Sequence, residues 1–239
     1  MATVTQLYRY PVKSFGGETI ESVELSKQGI PGDRSWSLQD ATGTLGAKKF
    51  PQLMSAHARL TASATTARPS PPIEVTLPNQ QTVLSTDTNA SELLSGFTDH
   101  AVTLSPLPQA GDDTTRSSHY FDAFPLLILS TQALVHLAAI AQQQNFDVRR
   151  FRPNILVDAA QAGFAENEWV GQDCRIGAAV VRIETACPRC IMTTHAVEEL
   201  PKDPDIMRTL VEHNDGNLGV YASIVEPGRI VCGDTLEIR

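Results

Sequence analysis

"TIESVELS", residues 19–26, sets Ile20, Val23 and Leu25 in near alternation with polar side chains. An extended chain turns successive side chains to opposite faces, so this pattern predicts a strand with one solvated face. The same reading extends outward in both directions. "TVTQLYRYP" (3–11), "RSWSLQD" (34–40), "LMSAHARLTA" (53–62), "IEVTL" (73–77) and "QTVLS" (81–85) are short runs divided by Gly, Pro, Asp and Asn. Many short strands at close spacing predict a barrel or a sandwich. "TASATTARPSPPIE" (61–74), small, polar and proline-rich, reads as an exposed loop.

A second block starts near residue 101. "NASELLSGF" (89–97) before it reads as a short helix with Asn89 as N-cap. "AVTLSPLPQAGDDTTRSSHYFDAFP" (101–125) opens as a strand and continues as a long irregular segment. Leu126 to Leu129 read as a buried strand that runs into a helix capped by Ser130 or Thr131, with Leu134, Leu137, Ala138 and Ala141 on its apolar face. "FRPNILVD" (151–158), "CRIGAAVVRIET" (174–185), "GVYASIVEP" (219–227) and "RIVCGDTLEIR" (229–239) return to strands, and "DPDIMRTLVEHN" (203–214) is a further helix. The expected fold class is mainly β with a few helices (α+β), divided into 1–100 and 101–239.

Several function classes fall away on composition. The chain has 239 residues, 41% of them apolar and 19% charged, with a formal net charge of −8. No long basic run stands against that charge, so a nucleic-acid partner held by a broad cationic face is not expected. No apolar run approaches the ~20 residues of a membrane span. The N-terminus lacks the pattern of a secretory signal, which makes a cytoplasmic location the expectation. Small clusters at Lys48-Lys49 and at Arg149, Arg150 and Arg152 suit one small anion, or are solvated surface charge.

"ETACPRCIMTT" (184–194) holds two of the four cysteines, Cys187 and Cys190; Cys174 and Cys232 are far away in sequence. Four cysteines are too few for a disulfide framework at this length, and they form no array for an iron–sulfur cluster. A zinc site would lack two ligands. A thioredoxin-type pair would sit at a helix start, which Thr193 and Thr194 do not favour. Two buried structural thiols are a further reading. Against that reading stands Arg189, since a guanidinium beside a thiol favours the thiolate that binds soft metals.

"YPVKS" (10–14), "GIPGDRSWSL" (29–38), "FRPNILV" (151–157), "IGAAVVRIETACPRCIMTT" (176–194) and "EPGRIVCGDTLEI" (226–238) together, in this order, resemble the MOSC superfamily. The resemblance extends to the branch with an N-terminal β-barrel domain, which includes the mitochondrial amidoxime-reducing component and its bacterial relatives. It implies an N-terminal β-barrel-like domain over 1–100 and a MOSC-type β-barrel domain over 101–239, with a cofactor cleft between them. It also implies a molybdopterin-type molybdenum cofactor whose metal takes one protein thiolate. By the family pattern that ligand, and the catalytic residue, is Cys190, while Cys187 is a non-ligand. Pterin contacts are implied for Lys13, Ser14, Arg34, Asp122, Arg152, Asn154, Pro188 and Arg189. The residue types suit such a group, because Lys and Arg give charge-assisted bonds to a phosphate and ring oxygens, and Asn and Ser give directional neutral ones. Thr193 and Thr194 either bond the metal's oxo ligands or cap a turn.

The activity implied is two-electron reduction of N-hydroxylated small molecules. Because the chain ends at Arg239, directly after the last strand, a separate electron donor of ferredoxin, flavoprotein or cytochrome type is expected, with no iron–sulfur cluster in this chain. The alternative is a sulfur carrier for molybdenum cofactor sulfuration, using a persulfide on Cys190; no pyridoxal phosphate site is evident in this chain. A third reading is a degenerate member acting as an interaction module.

Overall fold

The computed structural model describes residues 1–65, 68–107 and 120–239; the centre of the loop expected over 61–74 and most of the irregular segment expected within 101–125 lie outside the described residues. In chain order the strands of the first part are β1 (Ala2–Arg9), β2 (Glu18–Ile20), β3 (Ser22–Leu25), β4 (Trp36–Asp40), β5 (Gly43–Thr44), β6 (His57–Leu60), β7 (Ile73–Thr76), β8 (Thr82–Leu84) and β9 (Thr103–Pro106), with helix α1 (Ala90–Thr98) before β9. Then follow β10 (Leu126–Ser130), α2 (Thr131–Ile140), β11 (Ile155–Ala159), β12 (Asp173–Ile176), β13 (Ala179–Pro188), α3 (Asp205–Asn214), β14 (Asn217–Glu226), β15 (Gly228–Val231) and β16 (Thr235–Ile238). The fold class is the expected one, mainly β with three α-helices among the described residues.

Two compact units share the chain, and neither is one continuous stretch. The first comprises 1–8, 19–31 and 123–239; the second comprises 9–18 and 32–122. In the first unit β1, β11, β10, β14, β13, β12 and β16 hydrogen-bond in a ring that returns to β1, a closed seven-stranded barrel. Closure leaves no sheet edge in need of cover. β10 and β11 are parallel and the other barrel pairs antiparallel. Ala2 of β1 faces Ala159 on one side and Leu236 on the other, so the first strand of the chain completes the barrel of its last part. Inward residues Val4, Leu7, Ile128, Ile155, Ile176, Val181, Ile183, Val220 and Leu236 form its core, which also takes in Leu25 and Ile230 of the β3–β15 ribbon. α2 and α3 pack on the outside through Leu137, Ile206 and Leu210, against Leu129, Phe151 and Leu218. Ser130 is the α2 N-cap, its hydroxyl accepting from the Ala133 amide at 3.0 Å.

The second unit holds two three-stranded sheets, β5-β4-β9 and β6-β7-β8, together with α1. Val12, Phe15, Trp36, Leu38, Leu53, Ile73, Val75 and Leu94 are buried there. Four stretches of the sequence depart from the expected single strands; among them 19–26 divides into β2 and β3, and 229–239 into β15 and β16. The first part of 53–62 lies in a 3-10 turn, Pro51–Ser55, because Pro51 starts a helical turn readily and a strand poorly; only His57–Leu60 is extended. The 174–185 stretch is a hairpin, not one strand. Gly177, at φ +54°, turns the chain between β12 and β13. Among the described residues no helix is long and apolar enough to cross a membrane.

Candidate functional site

The site is built on the far end of β13. This strand pairs with β12 only over Ala179–Arg182, while its pairing with β14 runs on to Pro188 opposite Asn217. The register of that pairing shifts between Ala186 and Pro188, a bulge of the kind that re-aims side chains at barrel rims. Across it Cys187 is buried and Cys190 exposed. The Arg189 amide still bonds the Gly216 carbonyl at 2.8 Å, after which Cys190 opens a 3-10 turn, Ile191–Thr194.

That turn bears on two matters left open by the sequence. Thr193 Oγ1 donates to the Cys190 carbonyl at 3.0 Å and Thr194 Oγ1 to the Ile191 carbonyl at 2.7 Å. Both hydroxyls therefore cap the turn. No α-helix starts at the cysteine pair, so it lacks the helix N-terminus that activates a thioredoxin-type thiol. Among the described residues no group of three or more His, Cys, Asp or Glu is placed to hold a metal by itself.

Arg189 is the cation nearest in sequence to the exposed thiol. Its Nη1 donates to Cys187 Sγ at 3.1 Å and its Nη2 to the Phe151 carbonyl at 2.7 Å, with the guanidinium carbon 5.6 Å from the centre of the Phe151 ring. Its Nε is buried and has no hydrogen-bond partner among the described residues. Phe151 leads directly to Arg152, which is buried at φ +55°. Asn154 is buried and committed to the backbone: its Oδ1 accepts from the Leu127 amide at 3.2 Å and its Nδ2 donates to the Tyr8 carbonyl at 3.4 Å. Pro188, exposed, ends β13.

Arg149 and Arg150 do not stand as an open anion site. Arg149 makes ion pairs with Asp147, Glu198 and Glu199, and Arg150 donates to two backbone carbonyls. Burial pushes the Arg150 pKa below its ordinary value, with the carboxylates of Asp203 and Asp147 opposing. His195, next after the turn, also has its pKa lowered, by burial and then by the Lys202 charge.

In the second unit, Lys13, Arg34 and Asp122 meet around Tyr120, a residue the sequence did not single out. Lys13 Nζ donates to the Tyr120 carbonyl at 2.9 Å and pairs with Asp122, while the Tyr120 amide donates to the Arg34 carbonyl at 3.1 Å. Arg34 pairs with the adjacent buried Asp33 and lies 4.5 Å over the Tyr10 ring. Asp33 in turn accepts from the Tyr10 amide at 2.7 Å. Ser14 is buried, its hydroxyl accepting from the Ala47 amide at 2.9 Å.

Three candidate residues share a backbone feature that no sequence pattern announced. Ser14, Arg34 and Arg152 all have left-handed φ, at +70°, +46° and +55°. Other non-glycine residues with this conformation include the C-caps of α1 and α3, Asp99 and Asp215, where it is routine. For Ser14 and the two arginines it costs about 1–3 kcal/mol each, and such strain gathers at ligand sites.

These residues fit a molybdopterin-type group. It asks for one accessible protein sulfur, which the exposed Cys190 can supply, and for charged donors close by, of which the Arg189 guanidinium is adjacent in sequence.

Comparison with known proteins places this geometry in a family. Residues 115–237 match the model of the MOSC domain and residues 1–105 that of the MOSC N-terminal beta barrel domain. The chain belongs to the MOSC domain family. It is 31% identical over 128 residues to mitochondrial amidoxime reducing component 2 of Homo sapiens, covering 48% of this chain and 37% of that one. It is likewise 31% identical over 128 residues to mitochondrial amidoxime-reducing component 1 of Xenopus laevis, over 48% and 36% of the two chains. The matched stretch thus spans little more than a third of those relatives. The crystal structure of the YUAD protein from Bacillus subtilis shares the fold at a TM-score of 0.54 and 15% identity, covering 99% of this chain and 94% of that one.

Proposed function

We infer that this chain is a molybdenum-cofactor oxidoreductase that reduces N-hydroxylated small molecules. The observation that carries the reading is the exposed Cys190 thiol at the bulged end of β13, next in sequence to Arg189. Cys190 would hold the metal. By the family pattern, Lys13, Ser14, Arg34, Asp122, Arg152, Asn154, Pro188 and Arg189 would hold and orient the pterin. When bound, the molybdenum supplies the two-electron couple that takes the oxygen of an N–OH group. Two electrons and two protons per turnover convert N–OH to N–H and water, so a separate electron-donor protein belongs to the reading. The names of the curated relatives support the substrate class.

The same exposed thiol also suits a sulfur carrier, with a persulfide on Cys190. Purification from a molybdopterin-producing host decides between the two. Near-stoichiometric molybdenum and pterin, with benzamidoxime reduced by a chemical donor, is the expected result. A cyanide-labile persulfide on Cys190 without such turnover would favour the carrier, and absence of both metal and persulfide would overturn both.

A further inference from the structure

Residues 149–152 grip the thiol-bearing turn from both sides. Downstream of Cys190, Arg150 is 5% exposed and spans two carbonyls, Nη1 to His195 O at 2.8 Å and Nη2 to Pro201 O at 2.5 Å. Those carbonyls lie at opposite ends of one loop. The loop is closed at its base by the Asp203 amide on the Thr194 carbonyl, 2.8 Å, and pinched at its tip by reciprocal bonds between Val197 and Leu200 at 3.0 and 2.8 Å. Arg149 reaches the same tip through Glu198 and Glu199, at 2.7 and 2.5 Å. Upstream of Cys190, the next residue of the segment, Phe151, takes Arg189 on its carbonyl and its ring.

We propose that Arg150 is a positioning residue: by forking across the His195 and Pro201 carbonyls, while Phe151 holds Arg189, it fixes the turn that presents the Cys190 thiol. A planar guanidinium matches two acceptors with two separate N–H groups, whereas a lysine ammonium is a single point that cannot span them in the same way. Removing the fork leaves two carbonyls in the loop without their charged donor, and hydrogen bonds to charged groups are the stronger kind. The Arg149 pairs are one-third exposed on the arginine side and contribute less.

The functional meaning of the clamp rests on Cys190 as the metal ligand; its mechanical content does not. In cofactor-free protein, the amides of Thr193, His195 and Asp203 donate to the Cys190, Met192 and Thr194 carbonyls and report the turn directly. Arg150→Met should speed their hydrogen exchange about tenfold, the loss of roughly one such bond, with Arg150→Lys intermediate and the β10 and β11 amides unchanged. In loaded protein, Arg150→Lys should release molybdenum faster than wild type, and Arg149→Met should not. If Arg150→Met fails to fold, the lysine variant carries the exchange measurement. Unchanged exchange at the three amides overturns the proposal, and so does an equal rise throughout the barrel, which would make Arg150 a general stabiliser. A wild-type chain that takes up no molybdenum would sink the reading of Cys190, while the exchange data would still decide the clamp.

Discussion

The Arg189 guanidinium donates to the sulfur of Cys187, at 3.1 Å, and not to that of Cys190, although both cysteines lie close to it in sequence. The partnered sulfur is buried and the other is exposed. An arginine between two cysteines thus engages one, as part of the strand end, and leaves the other exposed.

Metal content should separate the two cysteines. Cys190→Ser should lower the molybdenum held by protein from a molybdopterin-producing host by roughly tenfold or more, since even indirect contacts to a metal are worth about that much. Cys187→Ser should keep its molybdenum while losing about 1–3 kcal/mol of stability, as a hydroxyl replaces a buried thiol. Elemental analysis with a denaturant titration checks both. Equal loss of metal in the two variants would reverse the ligand assignment.

Thiol reactivity gives a second, cofactor-independent check. Cys190 and Cys232 are exposed, whereas Cys174 and Cys187 are buried. Burial, with the Asp173 charge adding to it, pushes the Cys174 pKa up to about 11, so little thiolate is present at neutral pH. Native cofactor-free protein should lose Cys190 and Cys232 quickly to iodoacetamide, and Cys174 only on unfolding. Peptide mass spectrometry reads the order, and rapid labelling of Cys174 would contradict the packing of β12 against β16.

Much of this was legible in the sequence, and the parts that were not have a common cause. Alternation and breakers marked the strands because side-chain direction is local. Strand partners are not local, so nothing in "TVTQLYRYP" told that Ala2 would face both Ala159 and Leu236. The hairpin inside 174–185 was hidden because apolar residues flank Gly177 without interruption. At the proposed site, the family motifs pointed to Cys190 and the cations, but not to what holds their side chains and backbone. Arg150 and Tyr120 act through backbone carbonyls and amides, and these acceptors and donors leave no mark on residue identity. The left-handed conformations of Ser14, Arg34 and Arg152 were silent for the same reason: none is a glycine.

Asn154, a proposed pterin contact, should prove to be a stabilising residue. Its side chain ties the Leu127 amide of β10 to the Tyr8 carbonyl of β1. Asn154→Ala leaves each group without that partner, at about 1–3 kcal/mol for a buried one. Cofactor-free variant and wild type are the right pair to compare, because bound pterin would itself stabilise the folded state. A clear fall in the urea midpoint is expected, and an unchanged midpoint would mean that these two bonds add nothing net to stability.

Glu166 should give the barrel unit a stability contribution that weakens as pH rises. Its carboxyl is fully buried; Oε2 accepts from the Ser130 hydroxyl at 2.8 Å, and Oε1 has no hydrogen-bond partner among the described residues. Burial raises its pKa above the ordinary carboxylate value, and the bonds from Ser130 and nearby amides only moderate the shift. A raised folded-state pKa means that the folded chain holds this proton more tightly than the unfolded chain does. The contribution is therefore complete below the ordinary value of 4.5 and is lost as pH climbs from there through the raised folded value. Asp173, with its pKa lowered by Arg182, works in the opposite sense at lower pH, so the difference between wild type and Glu166→Gln is the quantity to measure. Relative to the glutamine variant, wild type should lose stability with rising pH across that window, by about 1.4 kcal/mol for each unit that the pKa is raised. Denaturant titrations of both proteins at a series of pH values check it. A constant difference across the series would mean that Glu166 titrates alike in the folded and unfolded chains.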